Sequence, residues 1–104
     1  MRKGEVWWAN LPAPSGRRPV VLLSRDSAYV VRNAVTVAEI TSTIRNIPAE
    51  VPLDQSDGLP KKCVVNLDTI STIPKTRLGA FITTLGQDKI TQINEAIKFT
   101  LNLA

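Results

Sequence analysis

The sequence predicts a mainly β domain of the α+β class: short strands followed by one C-terminal amphipathic helix, or a small barrel with a helix packed on it. Three observations predict this. Prolines at positions 12, 14, 19, 48, 52, 60 and 74 break the chain every few residues and leave little room for a long helix before the last stretch. The runs between them are rich in Val, Ile, Thr and Trp, residues that fit a pleated surface. Only the last stretch changes period from two to that of a helix. With 104 residues, 43% hydrophobic and 21% charged, a single folded domain over 1–104 is expected.

Taken in order, Glu5–Asn10 holds two tryptophans and a valine and reads as the first strand. Trp7 and Trp8 point to opposite faces of it, so one is expected in the core and the other at an interface or base-stacking surface. Val20–Ser24 is an apolar run typical of a strand buried on both faces. Ala34–Thr41 is β-branched at most positions. Glu50–Leu53 and Lys62–Leu67 are shorter candidates, and Gly79–Thr84 is the last strand. In Asp88–Leu101, Ile90, Ile93, Ile97 and Leu101 fall on one helical face, and Asp88 suits the positive end of the helix dipole.

Composition excludes several chemistries. Histidine is absent, so no imidazole acid, base or metal ligand exists. The single cysteine, Cys63, forbids an internal disulfide and a cysteine-cluster zinc site. A reducing, cytoplasmic setting fits this usage. The longest strongly apolar run, Val20-Val21-Leu22-Leu23, is strand-sized, so no membrane span or signal peptide is expected. Thirteen Lys and Arg against nine Asp and Glu give a net charge of +4, which favours a polyanionic partner.

Two segments could hold chemistry. In the first, Leu11–Pro19, Arg17 and Arg18 stand beside prolines and a glycine. Arg18 precedes Pro19 and is biased to extended backbone. The segment reads either as a solvated basic turn or as a clamp for phosphate or carboxylate, which a guanidinium fork grips bidentately. In the second, Thr41-Ser42-Thr43-Ile44-Arg45-Asn46, three hydroxyls precede an arginine. It reads as a turn at a strand end or as a phosphate-contacting edge. Glu39 shares a strand face with Thr41 and is either a cooperating acid or an exposed strand glutamate. Asp68 is a buried acid or a turn residue, and Cys63 an inert buried thiol or one activated by its lysine neighbours.

Gly4-Glu5-Val6-Trp7-Trp8-Ala9-Asn10-Leu11, Arg18-Pro19-Val20-Val21-Leu22-Leu23-Ser24-Arg25-Asp26, Val37-Ala38-Glu39-Ile40-Thr41-Ser42 and the run from Gly58 to Leu78 resemble, in order and spacing, the MazF/PemK toxin endoribonucleases of toxin–antitoxin modules. The resemblance implies an SH3-like small β-barrel with a C-terminal helix, assembled as a homodimer. It implies metal-independent cleavage of single-stranded RNA at short sequences, with no cofactor, silenced by an antitoxin through an acidic flexible segment. Carried over residue by residue, it implies Arg18 and Thr41 as catalytic residues, with Asp68 as the acid that some relatives use. Ser15, Arg17, Ser42, Thr43 and Arg45 would be RNA contacts from the two segments. This chain departs from the family's pattern in a much shorter first loop, in Asn66 where an arginine accompanies the acid, in Cys63 where serine is frequent, and in Glu39 where an apolar residue or proline is common.

Cleavage of this kind uses the substrate's own 2′-hydroxyl as nucleophile, so the protein must position the phosphate and stabilise its growing charge. Arginine stays protonated and is a poor base. The group that takes the 2′-proton is left open between Asp68 and Glu39. A gyrase-binding toxin of the same fold is the alternative from another functional class.

Overall fold

The computed structural model describes residues 1–103. Six strands form one antiparallel sheet in the order β4-β5-β3-β2-β1-β6, with β1 Glu5–Asn10, β2 Arg17–Leu22, β3 Ala34–Thr41, β4 Glu50–Leu53, β5 Cys63–Pro74 and β6 Leu78–Thr84. A four-residue helix, α1 (Ala28–Val31), lies between β2 and β3, and α2 (Gln87–Thr100) follows β6. Short 3-10 turns at Gln55–Asp57 and Lys75–Arg77 complete the chain.

Both faces of the sheet are packed, because successive strand residues alternate between them. One cluster includes Val6, Val21, Ala38, Ile40, Val65, Leu67 and Leu85, and α2 lays Ile90, Ile93, Ala96 and Ile97 onto it. The other gathers Ala9, Val20, Leu22, Tyr29, Val35, Val37 and Ile73, with Trp7 and Leu78 against them. The sheet curls until its two edges approach. Gly58, at φ +95°, lies so close to Thr83 of β6 that a Cβ there would sit 2.5 Å from the threonine Oγ1. Only glycine meets both the left-handed backbone and the close approach. It ends a turn in which Asp54 accepts from Ser56 N while Asp57 accepts from Asp54 N.

Four expectations need correction. β2 starts at Arg17 rather than Val20, so the arginine pair stands on a strand. Pro19 is tolerated there because at that point β2 is registered with Trp8 of β1 and the β2–β3 pairs begin only at Val20. β5 does not stop at Leu67 but runs to Pro74. Between Ala38↔Ile70 and Glu39↔Asn66, its residues Leu67, Asp68 and Thr69 bulge out with no β3 partner. Leu101 lies beyond the last helical turn and is exposed, unlike the other three residues of its predicted stripe. Neither tryptophan is fully buried. Trp7 donates Nε1–H to Glu5 Oε1 at 2.9 Å and meets Phe81 edge-on at 5.7 Å, and Trp8 lies under the Arg17 guanidinium, 4.1 Å from its ring centroid.

Candidate active site

The site grows out of a change of character along one sheet face. The β2–β3 register pairs Leu22 with Val37 and Val20 with Glu39, and continuing it sets Arg18 opposite Thr41. Residues directly opposite share a face. The face that carries the apolar cluster at Leu22 and Val37 therefore presents Glu39, Thr41 and Arg18 at its other end. The row continues sideways, since Glu39 is opposite Asn66 on β5 and Asn66 opposite Glu50 on β4.

Two depressions meet there. One, of about 260 Å³, is lined by Trp8, Arg17, Ser42, Leu59, Lys61 and Cys63 among others. The second, of about 270 Å³, is lined by Glu39, Thr43, Arg45, Asn66 and Thr69. Arg18 and Thr41 line both and so form the wall between them.

Arg18 is anchored from two sides. Its Nε–H donates to the Ser15 carbonyl at 3.1 Å, and its Nη1 lies 3.6 Å from Glu39 Oε1. That leaves Nη2 without a partner among the described residues and able to grip an anion. The Thr41 hydroxyl oxygen accepts from Thr43 N at 3.2 Å, which keeps its own O–H available to donate. Glu50, whose side chain is 2% exposed, holds the loop after β3. Its Oε1 accepts from Arg45 N at 2.8 Å and Asn46 N at 3.1 Å, while Arg45 Nη1 lies 3.9 Å from Oε2. The loop that bears Thr43 and Arg45 is therefore tied from below. Burial, followed by the nearby Asp57 charge, pushes the Cys63 thiol above its ordinary range, so it stays protonated and inert.

The structure thus brings Arg18, Thr41, Thr43 and Arg45 to one depression and Arg17 and Ser42 to the other. Ser15 contributes its backbone carbonyl to Arg18 and lines neither depression. Asp68 sits exposed on the β5 bulge, where its Oδ1 accepts from Thr100 Oγ1 at 3.2 Å, and it lines neither depression. Sequence reasoning missed Glu50 and Asn66 as parts of the site and Arg17 as the cover of Trp8. Glu50 and Asn66 meet only through strand pairing; an acid opening an otherwise apolar strand was the one available signal. Among the described residues no group of three His, Cys, Asp or Glu side chains is placed to hold a metal ion, and no helix is long and apolar enough to cross a membrane.

Comparison with known proteins points one way. Residues 2–101 match the family model described as PemK-like, MazF-like toxin of type II toxin-antitoxin system. A probable endoribonuclease MazF2 of Mycobacterium tuberculosis is 35% identical over 99 residues, 94% of this chain and 95% of that protein. The solved structure of the Mycobacterium tuberculosis toxin MazF-mt6 superposes with a TM-score of 0.89 at 35% identity, covering 96% of this chain and 98% of that one. A mycobacterial endoribonuclease in complex with its cognate antitoxin superposes at 0.88 with 27% identity, covering 100% and 97%. The curled antiparallel sheet with its C-terminal helix is shared with these toxins, and the chain belongs to the PemK-like, MazF-like family of type II toxin–antitoxin systems.

Proposed function

We infer that this toxin is a sequence-specific endoribonuclease that cuts single-stranded RNA without a metal ion and so stops translation and growth. It acts in the cytoplasm as a homodimer and is silenced by a cognate antitoxin through an acidic flexible segment. The observation that carries this reading is the wall formed by Arg18 and Thr41 between two depressions. A phosphate seated on that wall meets one free guanidinium nitrogen and one free hydroxyl donor. The nucleotides on either side of it fall into the two depressions, where splayed bases can be read.

The 2′-oxygen of the preceding ribose attacks the phosphorus and the bond to the 5′-oxygen breaks, leaving a 2′,3′-cyclic phosphate and a 5′-hydroxyl. Arg18 stabilises charge on the non-bridging oxygens, and Thr41 holds the phosphate in line. Of the two carboxylates that could take the 2′-proton, Glu39 lines one depression and Asp68 lines neither. The gyrase-binding alternative finds no support among the relatives above, which are named endoribonucleases or toxins.

Purified protein incubated with a defined RNA in EDTA tests the reading. Wild type is expected to cut it to cyclic-phosphate ends, and Arg18→Ala to lose about 10²–10³ in rate with its circular dichroism unchanged. Absence of cleavage of any RNA, or cleavage indifferent to Arg18, would overturn it. Sedimentation at micromolar concentration checks the dimer.

A further inference from the structure

We propose that Glu39 is the general base of the cleavage, accepting the proton of the attacking 2′-hydroxyl; this rests on the ribonuclease reading above. Of the residues that line the two depressions, Glu39 is the one carboxylate. It stands on β3 two residues before Thr41, on the same face, with its Oε1 3.6 Å from Arg18 Nη1 and its side chain 18% exposed. The wall that holds the phosphate and the carboxylate beside it therefore share one rigid strand pair.

The other acidic side chains nearby lie outside both depressions. Glu50 accepts two backbone amides, and Asp68 accepts the Thr100 hydroxyl outside both depressions. Neither oxygen of Glu39 accepts a hydrogen bond from another described residue. Its lone pairs are open towards the depression, as a base requires. A carboxylate beside a phosphate site repels the substrate on binding, a cost that a role in the chemical step offsets.

The charged groups that face Glu39 are Arg18 from β2 and Arg45 from the loop after β3; β5 presents only Asn66 and Thr69 to it. Both facing charges are cationic, and Arg18 Nη1 holds the carboxylate at 3.6 Å beside the phosphate wall. In the step, Glu39 takes the 2′-hydroxyl proton as the new P–O bond forms. The departing 5′-oxygen takes a proton from water, and Glu39 then returns its own to water. The assignment also orients the substrate. The nucleotide that donates its 2′-hydroxyl lies in the Glu39 depression, and the one that follows the cut lies over Trp8 and Arg17.

The test is the pH profile of cleavage of a short RNA by the full chain, alongside binding of the same RNA with a 2′-deoxy sugar at the cut site. Glu39→Gln is expected to lower kcat by about 10²–10⁴ and to erase the fall in rate on the acid side, with binding of the deoxy RNA kept or strengthened. Asp68→Asn is expected to keep both the rate and that acid fall. Full activity in Glu39→Gln would overturn the assignment. So would a slowed variant that keeps the acid fall, because Glu39 would then only be orienting Arg18. If Glu39→Gln does not fold, Glu39→Ala is expected to lose about 10²–10⁴ in kcat and to regain part of it with added formate, and an unslowed Glu39→Ala would overturn the assignment. A wild-type chain that cuts no RNA would instead remove the ribonuclease reading itself.

Discussion

The two ends of the face shared by β2 and β3 obey one register and do opposite jobs. At one end Leu22 and Val37 are closed over by Tyr29, Val35 and Ile73. At the other, Arg18, Glu39 and Thr41 stand open to two depressions. The alternation of side chains does not change between them; only the cover does. A slip of one residue would turn Arg18 to the wrong side while burying polar groups among apolar ones. The buried end thus makes the open end accurate, and the placement of Arg18, Glu39 and Thr41 is held by contacts made away from them.

Substitutions can separate the two roles. The largest stability effect is expected from Leu22→Ala, which leaves a cavity in a fully buried site and costs about 2–5 kcal/mol. Denaturant unfolding reads it, and cleavage per folded molecule should remain near that of wild type. A rate loss far beyond the folded fraction would show that the two ends are not separable. Next comes Glu50→Ala, which strands the amides of Arg45 and Asn46 at a cost of about 1–3 kcal/mol. Unlike Leu22→Ala, it is expected to raise KM by loosening the loop with Thr43 and Arg45, and an unchanged KM would argue against that link.

The smallest effect is one of alkaline pH. Burial pushes the Tyr29 phenol from 10.0 up to about 12, and burial raises the Cys63 thiol as well. Both groups fold in the neutral form, so their contribution is complete below the ordinary thiol and phenol values. It is lost as pH rises through the raised ones, towards about 12 for the phenol. Unfolding midpoints measured across that range should fall less steeply in Tyr29→Phe. The alkaline sensitivity thus belongs to the packed interior rather than to the open end.

Much of this was legible in the sequence. β1, β3 and β4 stand where composition and period put them, and α2 differs by a residue at each end, because strand residues are β-branched and the Ile90, Ile93, Ile97 spacing admits only a helix. Arg17 and Arg18 read as loop because Pro19 follows them, and a strand that tolerates proline depends on which neighbour it bonds at that point. The bulge in β5 was invisible, since Leu67, Asp68 and Thr69 look like ordinary strand residues until β3 fails to match them. In the site, Arg18 and Thr41 could be named from the resemblance. The row Glu39, Asn66 and Glu50 could not, because three strands distant in sequence have to pair before it exists.

The buried grip of Glu50 on the chain after β3 has a thermodynamic consequence for recognition. Backbone order that a flexible rim would have to acquire on meeting RNA, at about 1–2 kcal/mol per residue, is established here when the protein folds. In the proposed reading, contacts from Thr43 and Arg45 to RNA go to affinity without that entropy subtracted for the tied backbone. Encounter with a short unpaired target should accordingly be fast, with the lifetime of the complex, rather than its rate of formation, separating good sequences from poor ones.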